Sequence, residues 1–573
     1  MQETRVPVLI AGGGTVGLSA ALFLAHHGVA SFVAESQAGP SVHPRATGLG
    51  PRTVEFLREV GIEAAVDAVA VDMSAGSLGK ISATTLAAAD LSGAAGTTPV
   101  PPQRGPRAAA PVSPAALRGT CPQNRLDSVL LPAARDRGAT VRHSTRLVSF
   151  EQDDDGVTAV LDARTGPDGE SRRQAVRADY LVAADGARSG VRTALGIGTS
   201  GPGELGGHHV NILFRADLGA YTQGRPFAVC NITGTDAPGM LVTVDGEKDW
   251  IFHSPYDPGA GQSAEDFTPE RCRALVRAAI GAPDLAVEVL STMPWRPRGL
   301  LADRFRDGRV FLIGDAAHAV PPVGGFGLNT GMADAHNLAW KLAAVLRGQA
   351  GPALLDSYQA ERRPVGALAL EQSLLRLSDP RLHWDGSLQA PALRAAAGAV
   401  NAPVVHLGYR YDSDAVIDPQ PEMPSRERVE RNLDGAPGSR LPHLWVEQDG
   451  LGVLPRLPLG APPPSGSRGR VSTLDLVGSR FALLTGSGGD PWIRASREAA
   501  DRLGVELIAH KIAPGAGVSD PEGRWPAIAG LAEDGALLVR PDQFVAWRTA
   551  TLSDHPAEDL LRVLTRLLGC ASR

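Results

Sequence analysis

The sequence predicts an α/β protein of several domains. A parallel, doubly wound unit at the N-terminus, an antiparallel sheet and a second, smaller α/β unit are read along the chain. Three observations predict this. An apolar run near the N-terminus passes through a glycine-rich turn into a helical pattern. Short apolar runs between about residues 205 and 300 are separated by Gly, Pro and Asp turns, and a strand–helix–strand order begins after a proline-rich stretch near residue 460. At 573 residues the chain also exceeds what one hydrophobic core organises.

The first unit rests on the apolar run 6–11, which leads directly into Gly12-Gly13-Gly14-Thr15-Val16-Gly17 and the helical pattern LSAALFLAHHG. Gly12 permits a tight turn, Gly14 lets a pyrophosphate approach the backbone, and Gly17 allows close packing of helix on strand. The phosphates then sit at the positive end of the helix. A second apolar run ends at Glu35, about 20 residues past the glycines, where an acid accepts hydrogen bonds from a ribose. Strand, turn, helix and acid in register define a dinucleotide site but do not separate a nicotinamide from a flavin dinucleotide.

Far downstream, GRVFLIGDAAHAVPPVGGFGLNTGMADAHNLAWKLAAVL joins an apolar strand at 310–313 to an amphipathic helix through a loop rich in Gly and Pro. Between the two motifs, YLVAADGARSGVR sets Asp185 and Gly186 after an apolar strand, with Arg188 and Arg192 close behind. Arg45 in HPRATGLGPRTVEFL and Gln123 in CPQNRLDSVLL complete the series.

In this order the motifs resemble the class A flavoprotein monooxygenases of the p-hydroxybenzoate hydroxylase fold, over about residues 1 to 400. The resemblance implies a Rossmann-like FAD-binding domain with an interleaved antiparallel-sheet substrate domain. It places the Asp315 carboxylate, after Gly314, on the flavin ribityl chain. It also aims the backbone N–H groups of the turn 324–329, with Gly325, Gly327, Leu328 and Asn329, at the pyrimidine edge of the flavin, where a helix N-terminus stabilises the charge of reduced flavin. It sets Asp185 near the pyrophosphate, and Arg45 and Gln123 against the flavin and its ribityl or phosphate groups. FAD is bound non-covalently in this reading, and NADPH or NADH is a transient co-substrate without a second glycine motif of its own. The turn often reads Gly-Gly-Gln-Gly in the family but carries Phe326 here, which is expected near the flavin or the substrate entrance. His318, within the same loop, is usually structural in the family.

The antiparallel unit reads from HVNILFRA, FAVCNIT, GMLVTVDG and KDWIFHSP. In HVNILF the side chains of Val210, Ile212 and Phe214 alternate with those of Asn211 and Leu213, so one face covers a core and the other can wall a cavity. By resemblance this is the substrate domain, built from about 74–114 and 190–300. Asn231, Trp250 and Trp295 are its candidate lining residues, with His208, His209 and His253. The segment 74–114 shows little periodicity and reads as partly loop.

Residues 401–470 read as a linker region that includes the Pro-rich LPRLPLGAPPPSGS. The order in 471–573 is a strand at RFALLTG, a helix at DPWIRASREAADRLG, a strand at VELIAHKI, a strand pair around DGALLVRPDQFVAWRT and a helix at AEDLLRVLTRLL. It looks like the thioredoxin-like C-terminal domain of larger family members. Redox chemistry in that fold needs a cysteine pair after the first strand, but the turn here reads Gly486-Ser487-Gly488-Gly489-Asp490, so the domain is expected to be structural, supporting the substrate domain or a homodimer contact.

Composition narrows the classes further. The net charge of −6 implies no nucleic-acid partner, and the few lysines, Lys80, Lys248, Lys341 and Lys511, form no basic patch. Cys121, Cys230, Cys272 and Cys570 have no metal-ligand spacing, so no metal site is expected and a reducing, cytoplasmic setting fits. The apolar stretch 6–25 is glycine-rich and preceded by Glu3, unlike a signal peptide, and no run of about 18 apolar residues suggests a membrane span.

The resemblance implies that NAD(P)H reduces FAD and that O2 gives a flavin C4a-hydroperoxide, which hydroxylates an aromatic ring. Length, tail and the PGSRLPHLW segment look most like hydroxylases that tailor polycyclic aromatic polyketides. The expected substrate is phenolic. Arg45 and the backbone carbonyl of Pro322 are the candidate catalytic groups, the latter as an acceptor for the phenol proton. A simple phenol hydroxylase is the nearest competitor. A flavin-dependent halogenase would need a lysine such as Lys80 but lacks its Trp-x-Trp-x-Ile pattern, and a reductase or a non-enzymatic flavoprotein module is the remaining alternative.

Overall fold

A computed structural model describes residues 4–73, 78–92, 112–165, 170–448 and 469–569. Most of the stretch 93–114, the Pro-rich run 454–467 and Cys570 lie outside the described residues.

The N-terminal sheet has the strand order Arg306–Asp307, Val310–Leu312, Glu170–Ala183, Thr4–Ala11, Ser31–Ala34 and Thr140–Arg142. All neighbours pair in parallel except the first two strands. A meander, Thr145–Asp153 and Gly156–Thr165, attaches antiparallel to the long Glu170–Ala183 strand. Val8, Leu9, Ile10, Leu181, Val182 and Phe311 are fully buried or nearly so, as parallel strands covered on both faces require. Helices Thr15–His26 and Phe326–Leu346 pack together over this sheet, with the Val16 side chain against Gly314 and Gly331.

The second sheet runs Glu288–Trp295, His208–Arg215, Asp249–Tyr256, Gly239–Thr243, Val229–Ile232 and Lys80–Ala83. Its last strand comes from the segment in which the sequence showed little periodicity, and it pairs in parallel with Val229–Ile232. Helix Pro269–Ile280 supplies Cys272, Val276, Ala279 and Ile280 to the core under one sheet face, with Val210, Ile212, Phe214, Trp250 and Phe252 opposite.

The C-terminal sheet has the order Leu507–Lys511, Phe481–Thr485, Ala536–Val539, Val545–Thr549, parallel at the first pairing and antiparallel at the others. Helices Asp490–Leu503 and Pro556–Leu567 pack on each other beside it. This is the thioredoxin-like order.

Residues 401–448 differ from a linker. They form helix Ala402–Leu407, bury Tyr409, Tyr411, Val416 and Ile417, and place strand Trp445–Gln448 between Gly469–Ser472 and Val518–Ser519. The segment is irregular and takes its burial from both neighbouring domains, so no period of 2 or 3.6 marks it. Among the described residues, no helix is long and apolar enough to cross a membrane.

Candidate functional site

Strand register brings the separate motifs together. Ala11 pairs with both Ala34 and Ala183, and Ala183 pairs with Leu312. The strands therefore end at one level, and Gly12, Glu35, Asp185 and Gly314 follow within two residues along a single carboxyl edge. Open parallel sheets bind ligands in the crevice at that edge.

The first turn is shaped by contacts that exclude larger residues. Gly12 has a φ of 101°, and a Cβ there would lie 2.3 Å from the Ala184 carbonyl oxygen. A Cβ on Gly17 would lie 2.0 Å from the Gly12 oxygen, whereas one on Gly14 would meet nothing within 4 Å. Gly14 is thus the open approach. The N–H groups of Thr15, Val16 and Gly17 open the helix without intrahelical partners. Glu35 is fixed beside them, accepting from Gly13 N–H at 2.6 Å and Gln37 N–H at 2.7 Å.

Asp127 is a residue the sequence reading missed. On helix Gln123–Asp136 it accepts the Thr15 hydroxyl at 2.5 Å and is almost fully buried. Burial pushes its carboxyl up to about 6, opposed by the Thr15 hydrogen bond and by Arg45. Gln123, at the start of that helix, is half-buried and donates its backbone N–H to Ala46 in the Arg45 loop. Asp185 accepts Val191 N–H through Oδ2 at 3.1 Å, and its buried Oδ1 has no partner.

Asp315 is exposed between buried Gly314 and Ala316, yet burial by surrounding protein pushes its carboxyl up, with His318 and Arg45 opposing. It is thus an exposed carboxylate crowded by protein at the carboxyl edge of the sheet. Exposed Arg45 opposes the upward shift of both Asp127 and Asp315, so its charge reaches both acids. The turn below is held by buried Asp334, also missed. Its carboxylate accepts Gly314 N–H at 3.0 Å, His318 Nε2 at 2.6 Å and Arg362 Nε at 2.8 Å. Burial pushes its carboxyl up, but His318 and Arg362 outweigh it and hold the carboxyl below the ordinary range. His318 is accordingly engaged in the scaffold. The single acid within helix Phe326–Leu346 was the available signal.

In the turn 324–329, Gly324 and Gly325 take φ of 98° and 67°. Gly325 N–H is used by the Pro322 carbonyl at 3.1 Å, and Asn329 N–H falls within the helical bonding pattern, leaving Phe326, Gly327 and Leu328 as free donors. The Asn329 side chain joins this turn to the Arg45 loop: Oδ1 accepts Gly50 N–H at 2.7 Å and the Thr53 hydroxyl at 2.6 Å, while Nδ2 donates to Gly325 O at 2.7 Å.

Three expected lining residues face elsewhere. The Phe326 ring turns back into a buried apolar cluster with Val400, Val404 and Leu407, against Arg376 and His406, because the helix start carries its side chain away from the crevice. Trp250 shares the parity of Phe252 and packs on Phe227 in the core under helix Pro269–Ile280. His208, of the same parity as Val210, lies against Tyr256. On the opposite face the register aligns Met293, Asn211, His253, Met240 and Asn231 in one row, with His209 and Trp295 beside it. The Arg45 loop reaches this sheet through His43 Nδ1 and Ser291 Oγ, 3.0 Å apart.

Comparison with known proteins agrees with this geometry. A family described as FAD binding domain matches residues 5–373, and one described as aromatic-ring hydroxylase, C-terminal, matches 434–571. The chain belongs to the FAD-dependent aromatic-ring hydroxylases. It is 40% identical to tetracenomycin A2 monooxygenase-dioxygenase of Streptomyces glaucescens, covering 100% of this chain and 98% of that one. It is 37% identical to aklavinone 12-hydroxylase RdmE of Streptomyces purpurascens, over 99% of this chain and 100% of the relative. The solved aklavinone-11 hydroxylase in complex with FAD and aklavinone is 36% identical with a TM-score of 0.81, covering 99% and 100% of the two chains.

The residues present fit the flavin dinucleotide of this hydroxylase family. Gly14 and the N–H groups behind it suit a pyrophosphate, and the orphaned Asp185 Oδ1 calls for a donor. Glu35 is held with acceptor capacity left on Oε2 for a ribose, and Asp315 offers an exposed carboxylate at the same sheet edge.

Proposed function

We propose that this hydroxylase acts on a phenolic, polycyclic aromatic molecule of the polyketide type, using NAD(P)H and O2. The observation that carries the reading is the polar row on the substrate sheet, Asn211, His253 and Asn231 among Met240 and Met293, on a face otherwise suited to a flat apolar ligand. Full-length similarity to hydroxylases named for tetracenomycin and aklavinone supports the same class.

When bound, FAD would supply the redox chemistry that links NAD(P)H and O2 to the hydroxylated ring. The chain's own residues do the rest. Gly14, Thr15, Val16, Gly17, Glu35 and Asp185 hold the dinucleotide end; Asp315, Arg45 and Gln123 hold the ribityl and phosphate region; Gly327 and Leu328 offer N–H groups to the ring edge. Arg45 and the Pro322 carbonyl are the groups we assign nearest the reacting atoms, although the Pro322 oxygen already accepts Gly325 N–H and contributes only its second lone pair. The substrate sheet covers the crevice and excludes water, so that reducing equivalents are spent on the substrate.

Stopped-flow flavin reduction with and without phenolic polycycles, and incorporation of labelled oxygen from O2, test the reading. Substrate should accelerate reduction many-fold and the product should carry label from O2. Reduction indifferent to every aromatic tested, or label arriving from water, would refute it; a response to simple phenols alone would move the substrate class.

A further inference from the structure

The substrate sheet has one face that is explained by packing and one that is not. On the unexplained face, His253 and Asn211 are direct cross-strand partners, and His253 Nδ1 lies 2.5 Å from Asn211 Oδ1. An amide oxygen only accepts, so the imidazole donates from Nδ1 and keeps an unprotonated Nε2 with its lone pair available. Burial, reinforced by His209 and His43, lowers the imidazole to about 3, so the ring stays neutral at working pH.

Two further polar atoms in the same cluster lack partners. His43, 5% exposed, uses Nδ1 on Ser291 but leaves a buried Nε2 unpaired. Trp295, whose ring lies 5.8 Å from that of His253 and 5.4 Å from that of His209, leaves a buried Nε1–H unpaired. Buried groups of this kind ordinarily have a partner. Here an acceptor and an indole donor occur together between the sheet and the loop that carries Arg45. That combination suits a rigid ligand presenting a phenolic O–H and a ketone or quinone oxygen.

We infer that His253, locked by Asn211 into the Nδ1–H form, accepts a hydrogen bond from a phenolic O–H of the substrate, while Trp295 Nε1 donates to a carbonyl oxygen. His253 is thereby a specificity-determining residue, selecting free phenols over their ethers. The inference rests on the proposed reading of this sheet as the substrate wall. The proton remains on the phenol in this contact, and no bond is made or broken.

The test is equilibrium binding of 2-hydroxyanthraquinone and its 2-methoxy ether to the FAD-loaded enzyme, followed by ligand absorbance. His253→Phe keeps a planar ring without the acceptor. It should weaken the hydroxy compound about tenfold, the size of one hydrogen bond to a buried neutral acceptor, and leave the ether within twofold. Asn211→Leu, which frees the tautomer, should shift the same ratio in the same direction by less, and His253→Gln, whose amide oxygen can accept, should recover part of the preference. Trp295→Phe should weaken both ligands, since both carry the carbonyl. Equal losses for both ligands in His253→Phe, or no loss in either, with FAD content and melting temperature unchanged, would overturn the inference. If His253→Phe does not fold, Asn211→Leu decides on the same ratio. Wild-type enzyme that binds 2-hydroxyanthraquinone and reduces its flavin faster, but shows no dependence on His253, defeats this inference alone. Wild-type enzyme that neither binds nor responds to any phenolic polycycle defeats the functional reading and this inference with it.

Discussion

Replacing Arg540 by alanine should uncouple the C-terminal domain from the flavin-binding domain. Arg540 sits in the turn between strands Ala536–Val539 and Val545–Thr549 and is fully buried. Its Nη1 and Nη2 grip Glu361 at 2.5 and 2.9 Å, its Nε reaches Asp542 at 3.0 Å, and its guanidinium lies 5.3 Å from the rings of both Trp340 and Tyr411. Glu361 also binds Lys341 and Asn337, each at 2.7 Å, on the flavin-loop helix. Truncation leaves Glu361 and Asp542 buried, with Lys341 still bonded to Glu361 but no guanidinium bridging the two carboxylates. Burial itself lowers Lys341, to about 8, against the pull of Glu361. Removing one partner of such a buried set costs about 3–5 kcal/mol, because the stranded carboxylates cannot be solvated. Arg540→Lys keeps the charge without the two-pronged geometry and should fall between. The effect should extend to FAD. The same turn holds Arg52 through Gln543 Oε1 and the Asp542 carbonyl, both at 2.6 Å, and the neighbouring Thr53 is bonded to Asn329 in the flavin turn. Urea unfolding followed by hydrogen exchange in residues 481–549, together with FAD titration, measures both consequences. A loss below about 1 kcal/mol, the range of a surface pair, would refute the view that this network joins the domains.

Four further outcomes are expected. Asp315→Ala should weaken FAD binding by about 1.5–3 kcal/mol, the worth of a charge-assisted hydrogen bond; unchanged retention on gel filtration would remove Asp315 from the ribityl site. Gly17→Ala drives a Cβ into the Gly12 carbonyl, 2.0 Å away, and should give apoprotein, with a stability loss on the order of 1–3 kcal/mol from overpacking; yellow, FAD-replete protein would contradict the turn geometry. Asp127 titrates at about 6 when folded and near 3.9 when unfolded, so the fold holds its proton more tightly. Its contribution is therefore fully present below pH ~4 and falls as pH rises to ~6, by an amount on the order of 2–3 kcal/mol; Asp127→Asn should lack this slope in urea melts, and parallel profiles would argue against it. Cys121, Cys230 and Cys272 are buried, and burial raises all three thiols, Cys121 and Cys230 to about 12. A thiol reagent should therefore label at most Cys570 quickly in the native protein; rapid labelling of a second would mean the core opens.

The order of glycines and acids along the chain determined the parallel sheet and its ligand edge, because each motif carries a local requirement. Gly12 needs a positive φ, Gly17 needs a missing Cβ, and Glu35 needs only to follow the next strand. Alternation in HVNILF likewise assigned the two faces of the substrate sheet before any strand was paired, and the strand and helix order after residue 480 gave the C-terminal topology. What the sequence left open depends on partners far apart in the chain. Trp250 and Trp295 are both aromatic residues on strands, but register puts one in the core and the other beside His253. Phe326 stands in the flavin turn, yet its ring is claimed by apolar residues about 70–100 positions later. Asp127, Asp334 and the Glu361–Arg540 pair take their roles from contacts 112, 28 and 179 residues away. Local patterns fix which elements form and which face is apolar, since those follow from backbone geometry. The charge set that a buried carboxylate meets is decided only when the domains close, because the energy of a buried charge depends on what surrounds it in space.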